Sequence, residues 1–288
     1  MDRDRPVVRP IEAEDARPVA EFLHRHLNPR VAVEAWHALL SPPWQVEAPN
    51  HGFQLVNDTG IVGAYVAVYS QRGTVETPRA FCNLAAFCVL DEHRAHSLRL
   101  VRALVRQPGF VFTDLSPSGN VIKLNERLGF SRIDTSTRIS VNLPWLPTHG
   151  VRITSDTSEI ARRLRGRDIL IERDHRDAPA CRHLLVIGDA TYAYLIFRRD
   201  RRKGLRLFAT PLYVGGDQEL LRRSWHEVQT HLLLRHSLPF TLADRRTLGI
   251  IPRLGVDQRS PRPKMYRGDV RDADDIDYLY SELTLLEW

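Results

Sequence analysis

Lysine is nearly missing from this chain: Lys123, Lys203 and Lys264 are the only ones, so its 41 basic residues are otherwise arginine. Cysteine is almost as scarce. Cys82, Cys88 and Cys181 are odd in number and lack metal-ligand spacing, which argues against a disulfide framework and for buried thiols in a reducing cytoplasm. No run approaches the roughly 18 apolar residues that span a bilayer, so no membrane helix is expected. The opening MDRDRPVVRP is charged and has no apolar core, which argues against a secretory signal. What remains, 43% hydrophobic and 26% charged residues over 288 positions, is the composition of a globular protein with room for two domains. The net charge of +6 and pI near 9.5 permit an acidic partner without requiring one.

The pattern along the chain is mixed. Residues 7–27 read as a short strand and a helix with Val19, Phe22, Leu23 and Leu27 on its apolar stripe; 31–40 reads as a second helix, ended by Ser41-Pro42-Pro43. GFQLVND and IVGAYVAVYSQR form a hairpin around Asp58-Thr59-Gly60, and AFCNLAAFCV (80–89) is a central strand. A helix with Leu98, Val101, Leu104 and Val105 on one face follows, then a strand at 110–115, a helix ending at Gly129, and a last strand at 137–143. Pro144, Pro147 and Gly150 set a boundary near 148, giving domains 1–148 and 149–288. Beyond it the order partly repeats: a hairpin (HLLVIGD, TYAYLIFRRD), a strand (LRLFATPLYV), a long helix from 218 to 236, and a strand (LPFTLAD). The expected fold is therefore α/β of the α+β kind, two related halves each with a mixed central sheet flanked by helices. The tail, DIDYLYSELTLLEW, is expected to dock against the body.

Two blocks carry a resemblance. FCVLDEHRAHSLRLVRALV (87–105) matches a strand, a turn of pattern Arg/Gln-x-x-Gly-x-Gly/Ala, and a helix; TDLSPSGNVIKLNERLGF (113–130) matches a strand, loop and helix ending in Glu-Arg/Lys-x-Gly-Phe. In order and spacing they resemble the GNAT superfamily of acyl-CoA N-acyltransferases over residues 7–143, with a degenerate second copy after it. The resemblance implies acyl transfer, with acetyl the expected group, from coenzyme A directly to an amine. It implies that Cys88, Val89, Arg94, Ala95, His96, Ser97, Leu98 and Arg99 hold the cofactor, with Ser118 and Asn120 on the second block. An anion at a helix N-terminus is sound chemistry, since unpaired N–H groups and the helix dipole both favour it. Arg94 matches the first motif position, while Ser97 and Arg99 stand where small residues are expected; Ser97 can donate a hydroxyl and Arg99 can pair with a phosphate. The transferase reading requires the turn at 94–99 to present free amides.

The same resemblance places Asn83 where a strand carboxylate acts as base, Asn125 where a tyrosine protonates the thiolate, and Ser118 where an asparagine contacts the pantetheine arm. An amide is no base near neutral pH. The proton roles then fall to Asp114 or Cys88, to water with Asn83 orienting the amine, or to no acid at all, since a thiol leaves readily.

Other constellations carry less. His24/His26 and His93/His96 lack the carboxylate or cysteine neighbours of a metal site, and Cys181–His183 lacks an orienting group. VGGDQELL (214–221) reads as a turn capped by Asp217, not a second phosphate loop. RRDRRKGLR (198–206) reads as a solvated hairpin tip in preference to a nucleic-acid contact. Two readings stand besides acyl transfer: a non-catalytic acyl-CoA-binding or partner-binding module, and, more weakly, a nucleic-acid-binding protein. The acceptor, a small-molecule or peptide amine, and the oligomeric state are not encoded legibly.

Overall fold

The structure is a computed structural model, and it describes residues 5–73, 77–146, 150–202, 204–270 and 276–287, with the side chains of Asn120 and Arg202 outside that set. The chain opens with β1 (Val7–Pro10), a 3-10 turn, α1 (Ala16–His26) and α2 (Val33–Leu40), followed by β2 (Gly52–Asn57), β3 (Gly60–Gly73) and β4 (Pro78–Val89). A 3-10 turn (Asp91–His96) leads into α3 (Ser97–Val105), then β5 (Phe110–Asp114), α4 (Gly119–Arg127) and β6 (Ser131–Ile133). Next come β7 (Thr137–Val141), β8 (Arg152–Thr154), α5 (Thr157–Arg163), α6 (Arg167–His175), β9 (Arg182–Ile187), β10 (Tyr192–Arg202) and β11 (Leu205–Gly216). Last are α7 (Gln218–Arg223), α8 (Trp225–His236), β12 (Phe240–Asp244), α9 (Arg245–Leu248), β13 (Gly255–Asp257), β14 (Lys264–Arg267) and α10 (Glu282–Leu285). Among the described residues no helix is long and apolar enough to cross a membrane.

Two compact units result. One comprises Met1–Ile133, Pro263–Arg271 and Tyr280–Leu286; the other comprises Asp134–Arg262, Asp272–Leu279 and Glu287–Trp288. Set against the expected division near 148, the units interleave. The strand at 137–141, expected to finish the first half's sheet, pairs in the second unit with β12 and β13, while β14 pairs with β5 and β6 in the first. The sheets run β1-β2-β3-β4-β5-β14-β6 and β8-β9-β10-β11-β12-β7-β13. Position for position these are one pattern, each half lending the other its penultimate strand. In both sheets one pair is parallel, β4 with β5 and β11 with β12, and the rest are antiparallel. The repeat expected from the sequence is thus visible in topology.

In the first unit Tyr65, Ala67, Tyr69, Cys82, Leu84, Phe112 and Met265 form one buried sheet face with Leu100, Val101, Leu104 and Val105 of α3. Leu98, expected on that face, is half-buried, and Leu100 is fully buried in its place. The alternate residues Ala64, Val66 and Val68 are buried too, so β3 is covered on both faces, and it contacts α1 and α2. Burying both faces explains why β3 and β4 read as continuous apolar runs. The second unit builds a matching core from Leu184, Leu195, Phe197, Trp225, Val228 and Leu232. The long helix expected from 218 to 236 is two, α7 and α8, meeting at Ser224.

Candidate active site

Strands β4 and β5 pair over four residues only, from Ala80↔Phe110 to Asn83↔Thr113. Beyond that point β4 runs on to Val89 against β3 alone, and β5 bends away after Asp114. The sheet therefore forks at Asn83 and Thr113. Just past the fork, β4 carries one extra residue: Ala67 faces Leu84 and Val66 faces Ala86, which leaves Ala85 as a bulge. Cross-strand partners share a face, so the bulge keeps Asn83, Ala86 and Cys88 on the α1/α2 side. The partners Met265↔Asp114 put Asp114 on the opposite, α3/α4 side.

Polar groups collect at this fork although the surroundings are apolar. Asn83 and Thr113 are fully buried, and the Thr113 hydroxyl donates to Asn83 Oδ1 at 2.9 Å. The Asn83 amide then donates to Glu282 Oε2 at 2.5 Å, and the half-buried Ser116 hydroxyl donates to Glu282 Oε1 at 2.5 Å. On the other face Asn125, from α4, donates its amide to Asp114 Oδ2 at 2.8 Å. Burial pushes the Asp114 carboxyl up to about 7, with the Glu282 carboxylate adding to the rise and the bonds from Asn125 and the Ser116 amide opposing it. Burial drives the Tyr65 phenol well above its ordinary value, and Asp114, Cys82 and Glu282 push it further.

Glu282 arrives from the tail. Residues 280–286 belong to the first unit, where Tyr280, Ser281, Glu282, Thr284, Leu285 and Leu286 are buried. Trp44 packs edge-on against Tyr280 at 5.1 Å, and the Arg72 guanidinium lies over the rings of Phe81 and Tyr280. Ser281 caps α10 by accepting the Leu283 amide. Tyr280 has φ of 55°, a left-handed backbone that costs a bulky residue on the order of 1–2 kcal/mol and is held by this packing. Docking of the tail was expected from sequence; delivery of a carboxylate to Asn83 was not. The pair is 199 residues apart, and one of two glutamates among tail leucines and tyrosines gives no local signal.

The expected cofactor segment has a different local structure from the open turn that the transferase reading requires. Helical backbone begins at Asp91 as the 3-10 turn and continues into α3. The His93 amide donates to the Leu90 carbonyl and the Ser97 amide to the Arg94 carbonyl, so neither is free for a ligand. Arg99 donates to the Pro6 carbonyl at 2.7 Å and lies 3.4 Å from His96 Nδ1, so its guanidinium is engaged without a phosphate. Arg94 and Ala95 remain exposed, with Arg94 ion-paired to Asp91 at 2.8 Å; His96, Ser97 and Leu98 are half-buried. Cys88 lies on the length of β4 that pairs with β3 alone, and burial pushes its thiol up to about 11, which suits packing better than proton transfer near neutrality. Val89 ends the strand and packs at the edge of the core. Ser118 is exposed ahead of α4, and the Asn120 side chain lies outside the described residues. The fork thus brings Asn83, Asp114 and Asn125 into one region, while the diphosphate cradle reduces to the exposed Arg94 beside a helical stretch.

The remaining constellations resolve into structure. Asp217 accepts the amides of Glu219 and Leu220 and caps α7, and a side chain on Gly215 would strike the Asp168 carboxylate at 2.0 Å. His183 meets the Tyr194 hydroxyl and the His175 carbonyl with its two nitrogens, which anchors the ring within the second unit. Among the described residues no group of three or more His, Cys, Asp or Glu is arranged to hold a metal. Arg198, read as part of a solvated tip, is instead buried in β10 near Asp200.

No protein-family model matches the chain, and no curated protein matches it. Solved structures do. A GCN5-related N-acetyltransferase from Anabaena variabilis aligns at a TM-score of 0.60 and 11% identity, over 91% of this chain and 72% of that one. A putative acetyltransferase from Pyrococcus horikoshii aligns at 0.53 and 12% identity, over 98% and 97%. A probable N-acyltransferase of unknown function from Enterococcus faecalis aligns at 0.58 and 11% identity, over 91% and 72%. At such identities the likeness speaks to architecture, and on that evidence the chain has the fold of the GCN5-related N-acetyltransferases.

Proposed function

We propose that the protein is an acyl-CoA-dependent N-acyltransferase working at the fork of β4 and β5, with a small-molecule or peptide amine as acceptor. The observation that carries this reading is the fork itself, a parallel pair opening after Asn83 and Thr113 with buried, titratable Asp114 beside it. The co-substrate supplies an activated thioester. Its phosphates would meet the exposed Arg94 at the turn before α3, and its thioester would reach the fork from the α3/α4 side. There Asp114, held by Asn125 and close to half-protonated at neutral pH, is matched to returning a proton to a departing thiolate. Asn83, bridging Thr113 and Glu282, orients groups on the other face and does no proton chemistry of its own.

The test is a melting-temperature screen with free coenzyme A and acyl-CoAs of several chain lengths, followed by thiol release in the presence of primary amines. A ligand of the folded state must raise the melting temperature. The expected result is a rise with coenzyme A and thiol release that depends on added amine; no rise at any chain length would overturn the reading. One observation favours a second reading, a binding module that has lost turnover: the Ser97 amide and Arg99 are already engaged within the protein. Binding without amine-dependent thiol release would select it.

A further inference from the structure

Acyl transfer to an amine needs a proton acceptor on the acceptor's side of the sheet, and neither β4 nor α4 supplies one. Resting on the transferase reading, we infer that Ser116 and Glu282 form that acceptor, a hydroxyl relay backed by a carboxylate that the tail carries into the fork.

Three observations lead there. The Glu282 carboxylate receives a donor at each oxygen, Asn83 Nδ2 and Ser116 Oγ, both at 2.5 Å. Distances of 2.5–2.7 Å between a hydroxyl and a carboxylate are those of charge-assisted bonds, so Ser116 is aligned to pass its proton to Glu282. Second, Asn83 is fixed in its orientation by Thr113, so the amide that holds Glu282 cannot turn away without losing a buried partner. Third, Glu282 is fully buried while Ser116 is half-exposed, so the hydroxyl is the part of the pair that a solvent-borne amine reaches. Among the described residues, the buried Asp114 and Tyr65 both feel the Glu282 charge. Asp114 lies on the opposite sheet face, so the two carboxyls stand on either side of the reacting bond. One accepts the amine's proton and the other serves the thiol.

The step balances as follows. The neutral amine nitrogen attacks the thioester carbon; the N–C bond forms and the C–S bond breaks. The amine's proton passes to Ser116 Oγ as the Ser116 hydroxyl proton passes to Glu282 Oε1. The departing sulfur takes a proton from Asp114. Solvent then recharges Asp114 and relieves Glu282, so the net transfer is one proton from amine to thiol.

The experiment measures amine-dependent thiol release from acetyl-CoA by the full chain, with glucosamine, spermidine and a peptide bearing a free N-terminus as acceptors, across pH 6–10. Ser116→Ala and Glu282→Gln are each expected to lower kcat by on the order of 100-fold, the scale of a lost general base, with KM for acetyl-CoA within about twofold. The wild-type rate is expected to fall as pH climbs through about 7 and Asp114 loses its proton, and in both variants that fall is expected to be shallower, as solvent base takes over at high pH. Ser116→Ala removes one half-exposed hydroxyl, so it decides the matter even if Glu282→Gln fails to fold. A Ser116→Ala enzyme within about threefold of wild type, with an unchanged pH profile, overturns the relay and leaves the transferase standing. A wild-type chain that neither binds nor consumes acetyl-CoA overturns the transferase, and the relay with it.

Discussion

Asp114 is the residue whose environment departs furthest from its chemistry. Its carboxyl is 4% exposed, and burial, with the Glu282 carboxylate across the sheet adding to it, moves its pKa from the usual 3.8 to about 7. A group whose pKa rises on folding favours the folded state in acid. That contribution is full below about pH 4 and is lost as pH climbs through about 7. Asp114→Asn removes the titration while keeping a polar group near Asn125. Its stability relative to wild type is therefore expected to increase between pH 5 and pH 8, by on the order of a few kcal/mol. Urea midpoints at the two pH values check this, and parallel slopes for the two proteins would refute it. Sequence matching singled out Asp114 and Asn125 because they sit in a motif block whose spacing fixes their strand and helix, and Asn83 because it lies on the strand that leads into the other block. Ser116 lay inside the same block yet gave no signal, because its meaning depends on Glu282.

At the scale of elements, most strands and helices were legible because their periodicity is local. The 52–73 hairpin, β4, β5 and α4 lie where alternation, turn residues and apolar stripes put them. The end of α4 is a case in point. Gly129 has φ of 83°, and the Gly129 and Phe130 amides close the helix onto Glu126 and Asn125. Space for a side chain exists, since no atom lies within 4 Å of a built Cβ, so the cost of replacement is conformational. Gly129→Ala is expected to destabilise the protein by about 1–2 kcal/mol with thiol release per folded molecule little changed. Chemical denaturation checks the first and active-site titration the second. Less was legible at the turn before α3. Its motif implies open amides, but the helical backbone starts three residues before Arg94, a matter of hydrogen-bond registry that residue types do not announce.

At the scale of the whole molecule, the exchange of β7 and β14 could not be read from the sequence. Each strand matches its pattern in either sheet, and nothing in TRISVNL says which partner it takes. Its energetic consequence is plain. Removing residues 263–288 takes β14 from between β5 and β6 and takes Glu282 from the fork, leaving a sheet gap and a buried Asn83 amide without its acceptor. A chain ending at Arg262 is expected to lose cooperative unfolding of both units, whereas the full chain melts in one calorimetric transition; two separate transitions in the full chain would contradict this. Acid is a further probe of the second unit, where burial lowers His175 and His236 to about 4. These histidines stay neutral when folded, so their contribution is present above about pH 6.5 and fades as pH falls toward 4. The crossed strands also impose an order on synthesis. A nascent chain leaves the ribosome with its first sheet gapped until β14 follows the last strand of the second sheet. The first half therefore cannot mature ahead of the second, and a gene split between them would yield two fragments that fold only upon meeting.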